Sequence, residues 1–375
     1  MRIGIPKEIK EQEFRVGLTP AGVHALVERG HEVWVERGAG ARIGHSDGAY
    51  ERAGARIVDG PEAVYQCPMV VKVKEPQPSE VPLLWEGQVL FTYLHLAAFP
   101  ELTRQLTERG IVAIAYETVT DARGRLPLLI PMSEVAGRLA IQAGARGLEM
   151  VNGGRGVLLG GVPGTVPGRV CIVGGGTVGT EAAKMARGLG ADVTLLDINL
   201  DRLRYLDDLF GGTVKTVYAD RHALDEAIEG ADLVIGAVLV PGHQAPKLIT
   251  RDNVRRMADG AVIVDVAIDQ GGAAETSHPT THADPFFVVD GVVHYCVANM
   301  PGAVARTATH ALTNATTPFV LALADRGWRE ALRADPGLRA GLNLCLGQVT
   351  HPAVAEDLGY EYTDPADCLG DRNTP

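Results

Sequence analysis

Residues 170–179 read VCIVGGGTVG and decide the fold of this chain. The first four residues are apolar and predict a buried strand, and the glycines after them have the spacing G-x-G-x-x-G. A helix is predicted over 180–188, and a second strand over 191–196 leads into Asp197. Strand, glycine turn, helix and second strand in this order form a nucleotide-binding α/β unit, which places a pyrophosphate at the helix N-terminus.

Each residue of this unit has its own predicted role in binding a dinucleotide. Gly174 lets the chain turn off the strand, Gly176 lets backbone approach the pyrophosphate, and Gly179 lets helix and strand pack closely. Asp197 lies 18 residues after Gly179, where its carboxylate can accept both ribose hydroxyls. Because that charge repels a 2′-phosphate, the sequence favours NAD over NADP, and Arg202 weakens this preference only slightly.

The alternation of strands and helices extends over most of the chain. It runs from residue 2 to about 116 and again over 170–297, which predicts parallel sheets with helices on both faces. A long helix is predicted from Ser133, as its N-cap, to Met150, and the chain beyond Pro301 is predicted helical to about residue 345. We expect an α/β protein with two Rossmann-like domains and an active site in the interdomain cleft. The substrate domain combines residues 1–128 with 305–375, and the NAD domain covers residues 129–304.

Composition excludes several classes of protein. The chain has 375 residues, of which 46% are hydrophobic and 22% charged, as in an ordinary globular protein. Its net charge is -11 and it has no basic cluster, so no nucleic-acid partner is expected. We find no secretory signal and no apolar run of membrane-spanning length, and therefore expect a cytoplasmic protein without a membrane partner. Five scattered cysteines without a C-x-x-C pair predict free thiols.

Two further strands are predicted to border the dinucleotide, since ligands bind beyond the carboxyl ends of parallel strands. One covers residues 231–238. The other covers residues 261–269 and ends at Asp269, and Asp265 lies earlier in it. For either carboxylate, a capping role in a turn is the alternative to a role at the site.

Three polar positions in the first region have the chemistry needed to bind and convert a small carboxylate. Arg15 follows a run of charges, Lys72 and Lys74 alternate with valines on a predicted strand over 69–74, and His95 lies in an apolar stretch. Arginine and lysine bind carboxylates, and histidine transfers protons near neutral pH. The alternatives are a solvated arginine, two lysines on a water-facing strand face, and a core histidine.

Several other segments resemble one enzyme family. Residues 7–8, 15–16 and 19–20 resemble the opening signature P-K-E…R-V…T-P, shared by alanine dehydrogenase and the proton-translocating transhydrogenase alpha subunit. Residues 71–76 (VKVKEP), 90–97 (LFTYLHLA) and 294–304 (HYCVANMPGAV) resemble the alanine dehydrogenase branch. The similarity covers nearly the whole chain.

The resemblance implies a reaction and a role for each candidate residue. The implied reaction is reversible NAD-dependent oxidative deamination of L-alanine to pyruvate and ammonium, in a homohexamer. His95 and Asp269 would be catalytic, Arg15 and Lys74 would bind the substrate, and Glu117 is a candidate ligand for magnesium, although no metal is assigned. The predicted dinucleotide contacts, from the glycine motif and the resemblance together, are Ser133, Gly174, Gly176, Thr177, Val178, Gly179, Asp197, Arg202, Val238, Leu239, Ala267, Ile268, Asp269, Val297, Ala298, Asn299 and Met300.

Two alternatives remain open from the sequence. A transhydrogenase-like subunit would bind NAD(H) but need partner subunits for turnover. A non-catalytic NAD-binding protein of the same fold would tolerate substitution at Arg15, Lys74 and His95.

Overall fold

The computed structural model describes residues 1–238 and 245–370, which fall into two compact units. Unit 1 comprises Met1–Met132 and the chain from Val304 onward, and unit 2 comprises Ser133–Ala303. Each unit is built on one mostly parallel sheet whose strands alternate with helices. The predicted α/β class with two Rossmann-like domains is confirmed.

The described residues form fifteen strands, most of them four or five residues long. They are β1 (Arg2–Ile5), β2 (Glu32–Glu36), β3 (Arg56–Val58), β4 (Met69–Val71), β5 (Val89–Thr92), β6 (Val112–Ala115), β7 (Arg169–Val173), β8 (Asp192–Asp197), β9 (Lys215–Tyr218), β10 (Leu233–Gly236), β11 (Val262–Asp265), β12 (Phe286–Val289), β13 (Val292–Tyr295), β14 (Leu342–Cys345) and β15 (Gln348–Val349).

The same ranges contain fourteen α-helices, and none of these is both long and apolar enough to cross a bilayer. They are α1 (Pro20–Val27), α2 (Asp47–Arg52), α3 (Pro61–Val64), α4 (Pro100–Glu108), α5 (Ile130–Gly147), α6 (Thr177–Gly188), α7 (Leu200–Phe210), α8 (Arg221–Glu229), α9 (Arg251–Arg256), α10 (Ala305–Arg326), α11 (Trp328–Ala334), α12 (Pro336–Ala340), α13 (Pro352–Leu358) and α14 (Pro365–Leu369).

The sheet of unit 1 has the strand order β15-β14-β6-β5-β4-β1-β2-β3. Strands β1 to β6 pair in parallel, and β14 and β15 extend the sheet in antiparallel fashion. Strands β4, β5 and β6 are buried throughout, as expected for parallel strands covered on both faces. Because β6, β5, β4 and β1 are adjacent and parallel, the loops that follow them emerge at one edge of the sheet.

The sheet of unit 2 has the order β12-β13-β11-β10-β7-β8-β9, and only β12 is antiparallel to its neighbour among these strands. The loops after β13, β11, β10, β7 and β8 therefore share one edge. Packed under this sheet are buried side chains such as Val173, Val234 and Ile263. Each side chain of this kind contributes roughly 1.5–3 kcal/mol on burial, which keeps the strand ends in fixed positions.

Two helices begin earlier than the sequence predicted. Ser133 lies inside α5, three residues after the start at Ile130, and is not its N-cap. Pro131 occupies the second helical position, where its fixed φ fits and no backbone N–H is needed. The same helix ends at Gly147, three residues earlier than predicted. Helix α6 also begins three residues early, because Gly176 is its N-cap.

Two strands end sooner than predicted. Strand β4 ends at Val71, so Lys72 and Lys74 follow the strand rather than alternate within it. Strand β11 ends at Asp265, short of Asp269. The Asp265 carboxylate accepts a backbone N–H two residues further on and turns the chain into a 3-10 helix.

Residues 342–345 form a strand, whereas the sequence predicted helix up to this point. Strand β14 pairs with β6, and its buried Asn343 donates a hydrogen bond to the Thr118 hydroxyl at 2.7 Å. The sequence signal was too short to separate a four-residue apolar strand from the end of a helix. The last part of the chain, predicted as turns, contains β15, α13 and α14.

Candidate functional site

Four candidate site residues of unit 1 follow four neighbouring parallel strands. Arg15 lies in the chain after β1, Lys74 after β4, His95 after β5 and Glu117 after β6. Strand order alone therefore brings residues that are far apart in the sequence to one edge of the sheet.

Arg15 is buried, so the interpretation as a solvated arginine is wrong. Its Nε and Nη2 atoms donate to the two carboxylate oxygens of Glu13 at 2.8 and 2.7 Å, and Nη1 lies 3.1 Å from the Met132 sulfur. Burial acts to lower the pKa of Arg15, but the charge and hydrogen bonds of Glu13 outweigh it and raise that pKa. The guanidinium is a fixed positive group held on one side by Glu13.

Lys72 has a structural role. Its ammonium is fully buried and lies 2.5 Å from Glu80 Oε1 and 3.3 Å from Glu8 Oε2. Burial acts to lower the pKa of Lys72, but the two carboxylates together raise it. The interpretation of this side chain as facing water is therefore wrong. Lys72 neutralises two buried acids, and removing one partner of such a group typically costs about 3–5 kcal/mol.

Lys74 differs from Lys72 because no carboxylate among the described residues forms an ion pair with its ammonium. Burial, and then the like charge of Arg15, lower the pKa of Lys74. Its backbone is fixed at both ends: the N–H donates to Glu8 Oε1 at 3.2 Å, and the carbonyl accepts the Thr92 hydroxyl at 2.9 Å. A partly buried ammonium beside a fixed guanidinium is suited to bind an anion.

Glu8 is a residue whose role the sequence analysis did not identify. Its Oε1 atom accepts the backbone N–H groups of Val73, at 2.7 Å, and Lys74, and its Oε2 atom faces Lys72. Burial raises the pKa of Glu8, against the opposing effect of the Lys72 charge. The available signal was the position of Glu8 in the opening signature, which indicated importance without a contact.

His95 is 43% exposed in its side chain, which contradicts the interpretation as a core histidine. The residue adopts the left-handed conformation, with φ +51°, a region that non-glycine residues occupy only when held there. The Glu117 carboxylate holds it: Oε1 accepts the His95 N–H at 2.5 Å and the Leu94 N–H at 3.1 Å. The imidazole lies parallel to the Tyr93 ring, with 5.9 Å between centroids.

The described contacts of Glu117 are with the turn that carries His95. Its oxygens accept two backbone N–H groups, and Oε1 lies 3.8 Å from His95 Nδ1. Across residues 1–238 and 245–370, no three His, Cys, Asp or Glu side chains are grouped so that they could hold a metal ion. Glu117 positions the His95 turn through these hydrogen bonds, and no step is derived through a metal.

In the glycine loop of unit 2, residues 174–179, a side chain would find space only at the glycine where a dinucleotide would approach. Gly174 has φ +106°, and a Cβ at Gly179 would lie 1.8 Å from the Gly174 carbonyl oxygen. In contrast, a Cβ at Gly176 would meet no described atom within 4 Å. Gly176 caps α6 without a side-chain hydrogen bond, so the first N–H groups of the helix are available to an anion. These residues fit a pyrophosphate.

Asp197 and Arg202 hold this loop in shape. Asp197 ends β8, and its carboxylate accepts the N–H of Gly175 at 2.7 Å and that of Asn199 at 2.8 Å. Arg202 donates to the Gly175 carbonyl at 2.5 Å and to the Thr180 hydroxyl at 2.7 Å. Sequence reasoning assigned both side chains to the cofactor and did not predict that they also fix the backbone of the loop.

The residues after β11 divide into a cap and an exposed acid. Asp265 is fully buried and accepts the N–H groups of Ala273 and Ala274, at 3.0 and 2.9 Å, and the Ser277 hydroxyl at 2.6 Å. Asp265 is thus a capping residue, the alternative left open by the sequence. Asp269 lies exposed in the following 3-10 helix at the carboxyl edge of the sheet.

The remaining predicted cofactor contacts lie at or near the same edge of unit 2. Val238 follows β10, and Leu239 lies outside the described residues. Asn299 has φ +63°, and its carbonyl lies 3.1 Å from His282 Nε2, which holds the turn after β13. The others are Ser133 in the first turn of α5, Thr177 and Val178 at the start of α6, Ala267 and Ile268 after β11, and Val297, Ala298 and Met300 after β13.

Comparison with known proteins places both units in one family. The model of the alanine dehydrogenase/PNT N-terminal domain matches residues 4–136, and that of the alanine dehydrogenase/PNT C-terminal domain matches residues 140–352. Alanine dehydrogenase of Halomonas elongata is 58% identical over 371 residues, 99% of this chain and 100% of the relative. Alanine dehydrogenase of Bacillus subtilis is 56% identical over 375 residues, 100% of this chain and 99% of the relative.

Solved structures agree with this assignment. A structure of L-alanine dehydrogenase superposes with a TM-score of 0.94 at 56% identity and covers 96% of this chain and 99% of its own. A transhydrogenase from Sinorhizobium meliloti has a TM-score of 0.81 at 24% identity, covering 94% of this chain and 100% of its own, a likeness of fold alone. The resemblance noted in the sequence is confirmed, and the chain belongs to the alanine dehydrogenase/PNT family.

Proposed function

We propose that this chain is an oxidoreductase that catalyses the reversible NAD-dependent oxidative deamination of L-alanine to pyruvate and ammonium. The observation that carries the proposal is the grouping of Arg15, Lys74 and His95 at one sheet edge of unit 1. Two cationic groups suit a carboxylate, and an exposed imidazole suits proton transfer. Full-length relatives that are 56–58% identical and named alanine dehydrogenase support the choice of substrate.

The proposed cofactor is NAD. Gly174, Gly176 and Gly179 would bind its pyrophosphate at the start of α6, and Asp197 would accept ribose hydroxyls and disfavour a 2′-phosphate. When bound, its nicotinamide supplies the hydride acceptor for alanine oxidation and the hydride donor for pyruvate amination.

The side chains of unit 1 bind the substrate and move protons. Arg15 and Lys74 hold the carboxylate and so fix the orientation of Cα. His95 takes protons as alanine is oxidised to its imine and as water adds to the imine carbon, and returns them in the reverse direction. Since Nδ1 of His95 faces Glu117, Nε2 is the atom left to exchange protons with the substrate. Asp269 is proposed as the second catalytic residue.

The other predictions about the protein remain proposals. L-alanine, pyruvate and ammonium would be its small-molecule partners, and no nucleic acid or membrane is proposed as a partner. We also propose a homohexamer located in the cytoplasm, as the family resemblance and the composition imply.

The first test follows NADH absorbance with the purified chain, pyruvate and ammonium. We expect NADH oxidation that depends on ammonium, with NADPH at least about tenfold poorer because of Asp197. A reaction without ammonium that yields lactate would contradict the proposed substrate chemistry. Tight NADH binding without turnover would favour the transhydrogenase-like subunit or the non-catalytic NAD-binding protein.

A further inference from the structure

Two cysteines that are 23 residues apart in the sequence meet at the antiparallel edge of unit 1. Cys345 is the buried last residue of β14, Cys368 lies partly exposed in α14, and α14 packs against β14. Cys368 Sγ is also 3.5 Å from Gln348 Oε1, and Gln348 is the β15 partner of Cys345 in the hairpin. Three elements thus hold the two thiols together.

The two thiols differ in acidity and access. Hydrogen bonding between the two thiols lowers the pKa of Cys368 and raises that of Cys345. The charge of Arg329 favours the thiolate of both residues. Because a thiolate is the reactive form and Cys368 is the more exposed of the pair, Cys368 is the attacking group and Cys345 the resolving one.

We propose that Cys345 and Cys368 form a redox-active dithiol that a low-molecular-weight disulfide, such as oxidised glutathione, converts into an intramolecular disulfide. The Cys368 thiolate attacks one sulfur of oxidised glutathione, breaks its S–S bond and releases one glutathione thiolate. That thiolate takes the proton of Cys345, and Cys345 then attacks the Cys368 sulfur and releases the second glutathione. The protein loses two electrons, and oxidised glutathione is reduced to two glutathione molecules.

The disulfide would tie down the segment that supports the His95 turn. The chain between the two cysteines contains β15 and α13, and α13 places Val354 and Ala355 in the same core cluster as Leu94 and Leu96. A covalent link across this segment restricts the unfolded chain. We therefore expect the oxidised protein to melt about 3 °C or more above the reduced protein.

The test incubates the full chain with oxidised glutathione, then denatures it, alkylates the free thiols and maps the peptides by mass spectrometry. The expected result is that only three of the five cysteines are alkylated and that the peptides of Cys345 and Cys368 are cross-linked. Dithiothreitol added before alkylation should remove the cross-link and make all five cysteines available. Cys345→Ser should instead retain glutathione on Cys368, and Cys368→Ser should not react. Cys67→Ala, which removes a buried thiol of the same unit, should behave as wild type.

The proposal is overturned if all five cysteines of the wild-type chain are alkylated after the treatment. It is also overturned if a glutathione adduct persists on Cys368 while Cys345 remains a free thiol. Should the serine variants fail to fold, the wild-type peptide map decides by itself. This result is independent of the proposed alanine chemistry, because it is read from thiols and not from turnover.

Discussion

Lys72 and Lys74 are the same residue type two positions apart, yet their surroundings give them different properties. Two buried carboxylates keep Lys72 charged, whereas burial and the neighbouring Arg15 make the charge of Lys74 costly. A cation whose charge is disfavoured in the free protein gains most when an anion arrives. We therefore infer that Lys74 is the binding group and that Lys72 supports the loop that carries it.

The lowered pKa of Lys74 predicts that carboxylate binding weakens at alkaline pH. A folded-state pKa below the ordinary value means that the ammonium is present below that pKa and lost as pH rises through it, earlier than in a free lysine. Binding of propionate to the NADH complex, measured by NADH fluorescence, should weaken about tenfold or more as the pH rises through the lowered pKa of Lys74. Propionate is suitable because it has no group that titrates at alkaline pH.

Lys74→Arg should move this weakening to higher pH, since a guanidinium stays charged. Lys215→Arg is the matched control, because Lys215 forms an exposed pair with Asp192 in unit 2. If Lys74→Arg and wild type lose propionate at the same pH, another group controls binding and the role of Lys74 is refuted.

At the scale of elements, the turn between β7 and α6 combines two different requirements for glycine. Gly179 is required by packing, because a side chain would collide with the Gly174 carbonyl. Gly176 is not required by any described contact, and its φ of -65° is open to other residues. The space at Gly176 is therefore open to the pyrophosphate of the proposed dinucleotide.

Three alanine substitutions separate these requirements. Gly179→Ala should lower the free energy of unfolding by about 1–3 kcal/mol, because the backbone must shift. Gly176→Ala should fold like wild type but bind NADH about tenfold more weakly or worse. Gly188→Ala, at the exposed end of the same helix, should change neither property. Thermal melting and NADH titration of each variant provide the comparison. Wild-type NADH affinity in Gly176→Ala would refute the pyrophosphate site.

At the scale of the whole molecule, the sequence predicted whatever depends on local pattern. The β-α alternation and the spacing of the glycines establish the two sheets, and Asp197 at a strand end establishes the ribose candidate. Contacts between distant segments were not accessible, because they depend on strand order. The contacts of Glu8 with Lys74, of Glu117 with His95 and of Lys72 with Glu8 each join residues from different strand ends.

Short strands and turns were the other features that the sequence did not predict correctly. Strand β14 has four residues and pairs with β6 across more than two hundred positions of sequence, so local periodicity could not distinguish it from helix. Asp265 could be a site residue or a cap from its position alone, and its hydrogen bonds to Ala273 and Ala274 resolve the choice.

The proposed homohexamer predicts a particle about six times the 39.7 kDa mass of one chain. Exposed apolar side chains such as Val151 and Val166, 86% and 84% exposed, are of the kind that subunits bury against each other. Sedimentation velocity over a dilution series should show one species of that mass. A particle of one chain's mass at all concentrations would contradict the hexamer without affecting the proposed reaction.

The hydrogen bond from Gly175 to Asp197 has a consequence for attempts to redesign cofactor preference. Replacing Asp197 by a small neutral residue, the usual step toward accepting a 2′-phosphate, would also release the loop that is proposed to bind the pyrophosphate common to both dinucleotides. Such a variant would lose affinity for NAD and for NADP together. Asparagine at this position removes the negative charge while keeping an oxygen for the Gly175 N–H, so it is the starting point from which a change of preference is accessible to engineering and to evolution alike.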